Sequence, residues 1–453
     1  MDQSIYLLLV TVCSILLLLV MVTRLKIHAF VSLLLTSAFV GLAAGMGYDE
    51  VLTSIEEGMG GILGFIAIIV GLGSILGKLL EVSGGAETLA RTIVSTFGSD
   101  RTSWGLTLTG FIISIPVFLD VGFIILVPIV YALARKTKKS TLFYAIPLLA
   151  GMGVTHAFIP PTPGPIAVAD ILSVPLGWVI VFGVITGIPA AILAGPVFGH
   201  YIGNKIHVDP PDFSETSDEV AQTDKSDFFV ILAVILLPLI LIVQSTVLDL
   251  LVEEGTISEG IFFIEILQFI GHPFSALTIA TLMAAYFLGL RKGFTGKEVL
   301  KFTDKALAPA GLIILVTGAG GVFKQILIDS GVGEALAQIL LAYNITPIVL
   351  AYIMAVIIRV TQGSATVAMV TSAGMVAPIM SEFTLSSPEK ALIVIAIAAG
   401  SSILSHVNDS GFWLVNKYLG LTEKQTLKSW TVMETIVSVT GFAMALILSY
   451  LFF

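Results

Sequence analysis

Long uninterrupted apolar runs organise this chain, in place of the alternation of a strand or the stripe of a surface helix. A bilayer-spanning helix needs about 20 such residues. Segments 4–23, 27–46, 60–80, 142–160, 176–201, 227–248, 274–290, 306–328, 389–405 and 431–453 are all expected to span. Two apolar regions, 103–134 and 346–380, are too long for one helix and too short for two. Each contains a polar break, PVFLD (Pro116–Asp120) in one and TQGSAT (Thr361–Thr366) in the other. Both are expected to form broken, re-entrant hairpins. Residues 261–270 are too few to span and are expected at the interface. The first run follows MDQS, which carries an acid and no base, and no small-residue cleavage site succeeds it. It is expected to be a retained helix, not a leader.

The polar segments between runs set an orientation. Arg24 and Lys26, Arg135–Lys139 and Arg291–Lys305 are basic and belong on the cytoplasmic side. Tyr48–Gly58 and Asp249–Gly260 contain no Lys or Arg and belong outside. The acidic, proline-containing stretch 202–226 then falls inside, as a linker. A shift of 247 residues superposes GLGSILGKLLEVSGGAETLA (71–90) on GAGGVFKQILIDSGVGEALA (318–337) without gaps, with 8 of 20 positions identical. About two would match by chance in so apolar a composition. The shift also carries span 27–46 onto 274–293, and the basic loops give these opposite directions. The expected fold is therefore an all-α polytopic membrane protein built of two inverted-topology repeats with broken helical hairpins, the plan of secondary transporters. Residues 1–201 form the first repeat with its N-terminal helix, 202–226 the cytoplasmic linker and 227–453 the second repeat.

Two further broken stretches hold corresponding places. THAFIPPTPGP (Thr155–Pro165) follows Ala150–Gly151, and SHVNDSGFW (Ser405–Trp413) follows Ala399–Gly400. Breaking a helix frees backbone groups, so its positive N-terminal ends can hold an anion and its carbonyls a cation or hydroxyls. Such backbone survives at membrane depth only where protein or a wet cavity covers it. Arg359 enters the second hairpin break and is the candidate partner for a carboxylate. Asp120 and Asp409 are candidates for carrying protons, and His156 and His406 for titrating or hydrogen bonding. Structural alternatives stand beside these: an Arg paired with an acid, and Asp residues capping helix ends. The expected substrate shell takes Thr155, His156, Thr162 and Gly164 from the first broken stretch. The second hairpin adds Arg359, Thr361, Gln362, Gly363, Ser364 and Thr366, and the last break adds Ser405, His406, Asn408, Asp409 and Ser410.

Composition narrows the function classes. The chain is 453 residues, 56% hydrophobic and 12% charged, with net charge −9 and mean hydropathy +1.02. Nothing in that balance points to nucleic acid. Cys13 is the only cysteine, which excludes intrachain disulfides and cysteine metal sites. No HExxH pattern or Gly-Lys-Ser/Thr phosphate loop is present, so neither a cofactor nor a metal is expected and energy would come from an ion gradient. Sodium rivals the proton as coupling ion. An intramembrane aspartyl enzyme is a distant alternative.

GMGGILGF (58–65), SGGAETLA (83–90), PVFLDVGF (116–123), HAFIPPTPGP (156–165), SHVNDSGFW (405–413) and WTVMET (430–435) resemble the gluconate:proton symporter (gluconate permease) family over nearly the whole chain. The resemblance implies a multi-pass inner-membrane permease importing gluconate or a related small carboxylate with protons. It also implies kinship with ion-transporter-superfamily carriers: a homodimer, each protomer with a scaffold and a moving transport part. D-serine and other sugar acids are alternative substrates within such a family.

Overall fold

In lipid every backbone N–H and C=O needs an internal partner, which a helix supplies within its own segment. The apolar runs accordingly fold as helices. The structure, a computed structural model, describes residues 3–98, 101–211, 225–334, 346–407 and 409–452. Its first half runs α1 (Gln3–Thr23), α2 (Ala29–Ala43), α3 (Tyr48–Val82), α4 (Gly85–Phe97), α5 (Thr102–Ile113), α6 (Leu119–Thr137), α7 (Thr141–Phe158), α8 (Pro163–Ile171), α9 (Leu176–Ile192) and α10 (Phe198–Lys205). A π-helical turn at Leu193–Val197, which contains Pro196, joins the last two. The second half runs α11 (Lys225–Glu253), α12 (Phe262–Gly271), α13 (Pro273–Ala284), α14 (Gly296–Asp329), α15 (Pro347–Gln362), α16 (Ala365–Met380), α17 (Ser387–Ser402), α18 (Ser410–Tyr418) and α19 (Glu423–Phe452). No strand occurs among the described residues. Among the described residues, seven helical stretches are long and apolar enough to cross a membrane.

The element order repeats: α3 with α14, α5 with α15, α6 with α16, α7 with α17, α8 with α18, and α9 with α19. Local geometry repeats too. Ser83 and Ser330 both end their helices at φ −78°, ψ −7°, followed by Gly84 and Gly331 at φ +70°. His28 caps α2 by accepting the Phe30 N–H at its Nδ1 (3.2 Å), and His272 caps α13 by accepting that of Phe274 (3.3 Å).

The longest pair, α3 and α14, meets backbone to backbone. A Cβ on Gly58 would lie 2.7 Å from the Gly321 carbonyl oxygen, and one on Gly321 would lie 2.4 Å from that of Gly58. Met59 and Leu63 cover Gly318, while Leu307 covers Gly71. Residue numbers rise along α3 as they fall along α14, so these matched helices run antiparallel.

Several boundaries differ from the expectation. α3 and α14 begin 12 and 10 residues before the expected spans at 60 and 306. Capping carboxylates carry each helix into its polar flank. Glu50 accepts the Gly47 N–H at 2.8 Å, and Glu298 accepts that of Thr295 at 2.8 Å. The segment expected at the interface is α12, which exposes Phe262, Phe263 and Phe269. The two hairpin regions pack differently: α15 folds back on α16, whereas α5 lies on α7 and α4.

α7 and α17 form the centre. Every residue of α7 is buried except His156, and α17 is buried from Ala391 to Ser402. A helix apolar on all sides belongs inside a bundle. Gly151 seats α7 on the Thr107 carbonyl of α5, and Gly400 seats α17 on the Tyr352 carbonyl of α15.

Candidate functional site

Four breaks interrupt the central helices, and sequence explains each. Pro116 lies in the break between α5 and α6, where it offers no N–H. Pro160 and Pro161 do the same between α7 and α8. Gly363, at φ +81°, ends α15 in the left-handed region that favours glycine, and the Ser364 hydroxyl caps α16 by accepting the Val367 N–H at 3.4 Å. Asp409 caps α18 by accepting the Gly411 N–H at 3.1 Å.

Three of these breaks open on one cavity of ≈ 510 Å³. Phe118, Leu119 and Asp120 bring the N-terminus of α6 to its wall, Ser364, Ala365 and Thr366 that of α16, and Asp409, Ser410 and Gly411 that of α18. The first N–H groups of a helix have no intrahelical acceptor and carry partial positive charge. Arg359, from the last turn of α15, is 3% exposed and also lines the cavity. Pro309, Leu312 and Ile313 of α14, with Met369, Leu414 and Trp430, supply an apolar wall. Such a space can take a small anion whose charged end meets the helix termini and whose body meets the wall.

Arg359 is already engaged. One terminal nitrogen donates to Asp409 Oδ2 at 2.5 Å and the other to the Gly363 carbonyl, while its Nε is buried without a partner. Asp409 also accepts from the Ser405 hydroxyl, which in turn accepts the Trp430 indole N–H at 2.6 Å. One polar chain thus links α19, the last break and the end of α15. Both structural alternatives are present: Arg359 pairs with an acid, and Asp409 caps a helix.

The sequence-derived shell divides. Asp120, His156, Arg359, Ser364, Thr366, Asp409 and Ser410 line the cavity. His156 Nδ1 is buried without a partner, and the ring lies within electrostatic reach of Asp120 and Asp409. Asp120 is exposed at the start of α6. The other described residues of the shell do not line it. Thr155 donates to the Phe111 carbonyl at 2.8 Å, and Thr361 to the Ile357 and Ile358 carbonyls at 2.8 and 2.9 Å. Ser405 and Gly363 instead hold Asp409 and Arg359, and His406 Nε2 lies 2.9 Å from the Val360 carbonyl. The Gln362 amide is buried with neither atom paired. Gly164 lies under Met369. Thr162 donates to the Ile159 carbonyl at 2.7 Å and faces a separate small nook beside Pro116. Asn408 lies outside the described residues.

Sequence reasoning missed Gly153, Ser402, Trp430 and Glu434, all of which line the cavity. Glu434 had a usable signal, as the only charged residue of span 431–453. Among the described residues no group of three or more His, Cys, Asp or Glu could hold a metal.

The model of the GntP family permeases matches residues 6–451. The gluconate permease of Pseudomonas aeruginosa is 40% identical over 453 residues, covering 99% of each chain. The low-affinity gluconate transporter of Escherichia coli K12 is 39% identical, covering 96% of each. Its Gnt-II system L-idonate transporter is 35% identical, covering 96% of this chain and 97% of that one. Among solved structures, the YdaH transporter of Alcanivorax borkumensis shares the fold at TM-score 0.64 and 14% identity, covering 93% of this chain and 98% of its own. MtrF of Neisseria gonorrhoeae does so at TM-score 0.62 and 14% identity, covering 88% and 84%. A family match from end to end, relatives at 35–40% identity and a shared transporter fold together place this chain in the GntP family of permeases, membrane transporters rather than enzymes.

Proposed function

We propose that this permease imports gluconate or a closely related small hydroxy-carboxylate across the cell inner membrane by proton symport. One observation carries the reading: Arg359 and three helix N-termini converge on a single cavity of ≈ 510 Å³. An acid with many hydroxyls suits it, because Ser364, Thr366 and Ser410 ring the same space. The names of the relatives, gluconate and L-idonate transporters, belong to the same chemical class. Asp120 and Asp409 are the acids proposed from the sequence to carry protons, and both face the cavity.

Residues 1–201 and 227–453 act as inverted repeats joined by the 202–226 linker. α3 and α14 serve as a scaffold along which the broken helices move the site, an elevator within each protomer of a homodimer. The test is uptake of labelled gluconate into proteoliposomes under an imposed pH gradient, with D-serine and L-idonate as competitors. Uptake driven by sodium alone, or D-serine carried in place of gluconate, would replace this reading.

A further inference from the structure

Glu434 stands in the first half of α19, with no other charged residue between Lys428 and the end of that helix. It is 6% exposed, yet it lines the cavity. Gly153 of α7 makes the room: a Cβ there would lie 2.6 Å from Glu434 Oε1. Among the described residues Glu434 makes no hydrogen bond or ion pair, although it feels the charges of Arg359 and Asp409.

The charge balance of the cavity makes this carboxyl matter. Asp120, Asp409 and Glu434 face one guanidinium, Arg359, and one imidazole, His156. A substrate carboxylate would be a fourth acid against a single permanent cation. Two like charges about 4 Å apart at an effective dielectric near 20 weaken binding roughly a thousandfold. Neutralising one acid would therefore ease the entry of an anion.

The three acids are not equivalent. Asp409 is held by Arg359, by the Ser405 hydroxyl and by the Gly411 N–H. Asp120 is exposed in the first turn of α6, where the helix end favours an anion. Glu434 has neither support. Among the described residues no other charged group faces it. α9 contains none, α17 carries Glu389 and Lys390 about 20 Å along the helix from its cavity end, and Lys417 of α18 is about 12 Å from Asp409 along its helix.

We propose that Glu434 is the proton-binding site filled as the anionic substrate enters. A proton from cavity water binds a carboxylate oxygen of Glu434, crosses with the substrate, and returns to water when the substrate leaves. This deepens the proton-symport reading and rests on it.

The test uses purified full-length protein in weakly buffered detergent, with gluconate as probe and proton exchange read by an indicator dye. At alkaline pH wild-type protein takes up protons when gluconate binds, and its affinity falls as pH rises. E434Q still binds gluconate, without proton uptake and with a flattened pH profile. In proteoliposomes a gradient of about one pH unit gives roughly tenfold accumulation per proton, and E434Q loses that accumulation while exchange across the membrane continues. Should E434Q not fold, E434D keeps the carboxyl one methylene shorter and should take up protons with a shifted pH midpoint. Unchanged uptake in E434Q, or an unchanged midpoint in E434D, overturns the Glu434 site and leaves proton symport standing. A wild-type protein that binds gluconate at alkaline pH with no proton uptake, and with an affinity that does not fall as pH rises, overturns both.

Discussion

Asp409 lies 2.5 Å from Arg359, so the one guanidinium of the cavity already holds a carboxylate of the protein. A buried charge left without a partner is costly, and this pair removes that penalty while the site is empty. It also gives an incoming carboxylate something to displace. On the proposed function, substrate and Asp409 compete for the same nitrogens, and affinity is the difference between two ion pairs.

Replacing Arg359 by Lys tests the geometry of that exchange. Lysine keeps the charge but has no planar fork. Hydrogen bonds to charged groups contribute about 1.5–3 kcal/mol. Loss of one should weaken gluconate binding roughly ten- to hundredfold. Calorimetry on folded, monodisperse protein checks this, and unchanged affinity would assign Arg359 to structure alone.

Asp409→Asn should act in the opposite direction. The amide keeps the size of the carboxylate and removes its charge, so Arg359 loses its competitor along with its partner. Gluconate should bind more tightly to the variant, while the ligand-free protein melts at a lower temperature. A thermal-shift titration reads both effects. Weaker binding together with unchanged thermal stability would show that Asp409 does not compete with the substrate.

Orientation can be tested with single cysteines on a Cys13→Ser background, Cys13 being the only native cysteine. Surface loops are the natural targets, but the structure rules some out. Ser54 is buried and donates to Asp329 at 2.5 Å, and Ser140 is buried while it binds the Ile206 carbonyl. Lys138 and Thr295 are exposed, as are Tyr48 and Thr256. Cysteines at Lys138 and Thr295 should react from the cytoplasm, and those at Tyr48 and Thr256 from outside. Labelling of Lys138 and Thr295 from opposite faces would overturn the proposed topology.

The broken helices and Arg359 were legible because proline, glycine and charge are rare and expensive inside an apolar run. What a repeat cannot reveal is which copy of a feature builds the site. Thr162 and Asp409 follow matching central helices, yet Asp409 faces the cavity and Thr162 a small nook beside Pro116. Pairing across 50 residues, as between Arg359 and Asp409, leaves no local periodicity to read. The apolar wall from Pro309, Leu312 and Ile313 is likewise silent in sequence, since these residues look like any others in a spanning helix. Glu434 differs: its isolation in an apolar span is visible in the sequence, but no local pattern places it beside Arg359 and Asp409.

The α3–α14 contact gives a prediction about stability that is independent of the substrate. Two helices approach this closely only where neither carries a side chain. A Cβ on Gly321 would lie 2.4 Å from the Gly58 carbonyl oxygen and 2.5 Å from Ile62 Cδ1, so backbone must move. Such overpacking typically destabilises by about 1–3 kcal/mol. Gly321→Ala should therefore lower the thermal midpoint of the detergent-solubilised protein. Gly60, only two residues from Gly58, has nothing within 4 Å of its Cβ position. Gly60→Ala should leave the midpoint unchanged or raise it slightly, because alanine is favoured over glycine in a helix by up to about 1 kcal/mol. Equal effects of the two substitutions would mean that α3 and α14 do not pack through Gly58 and Gly321. The antiparallel register of the two matched helices would then lose its support.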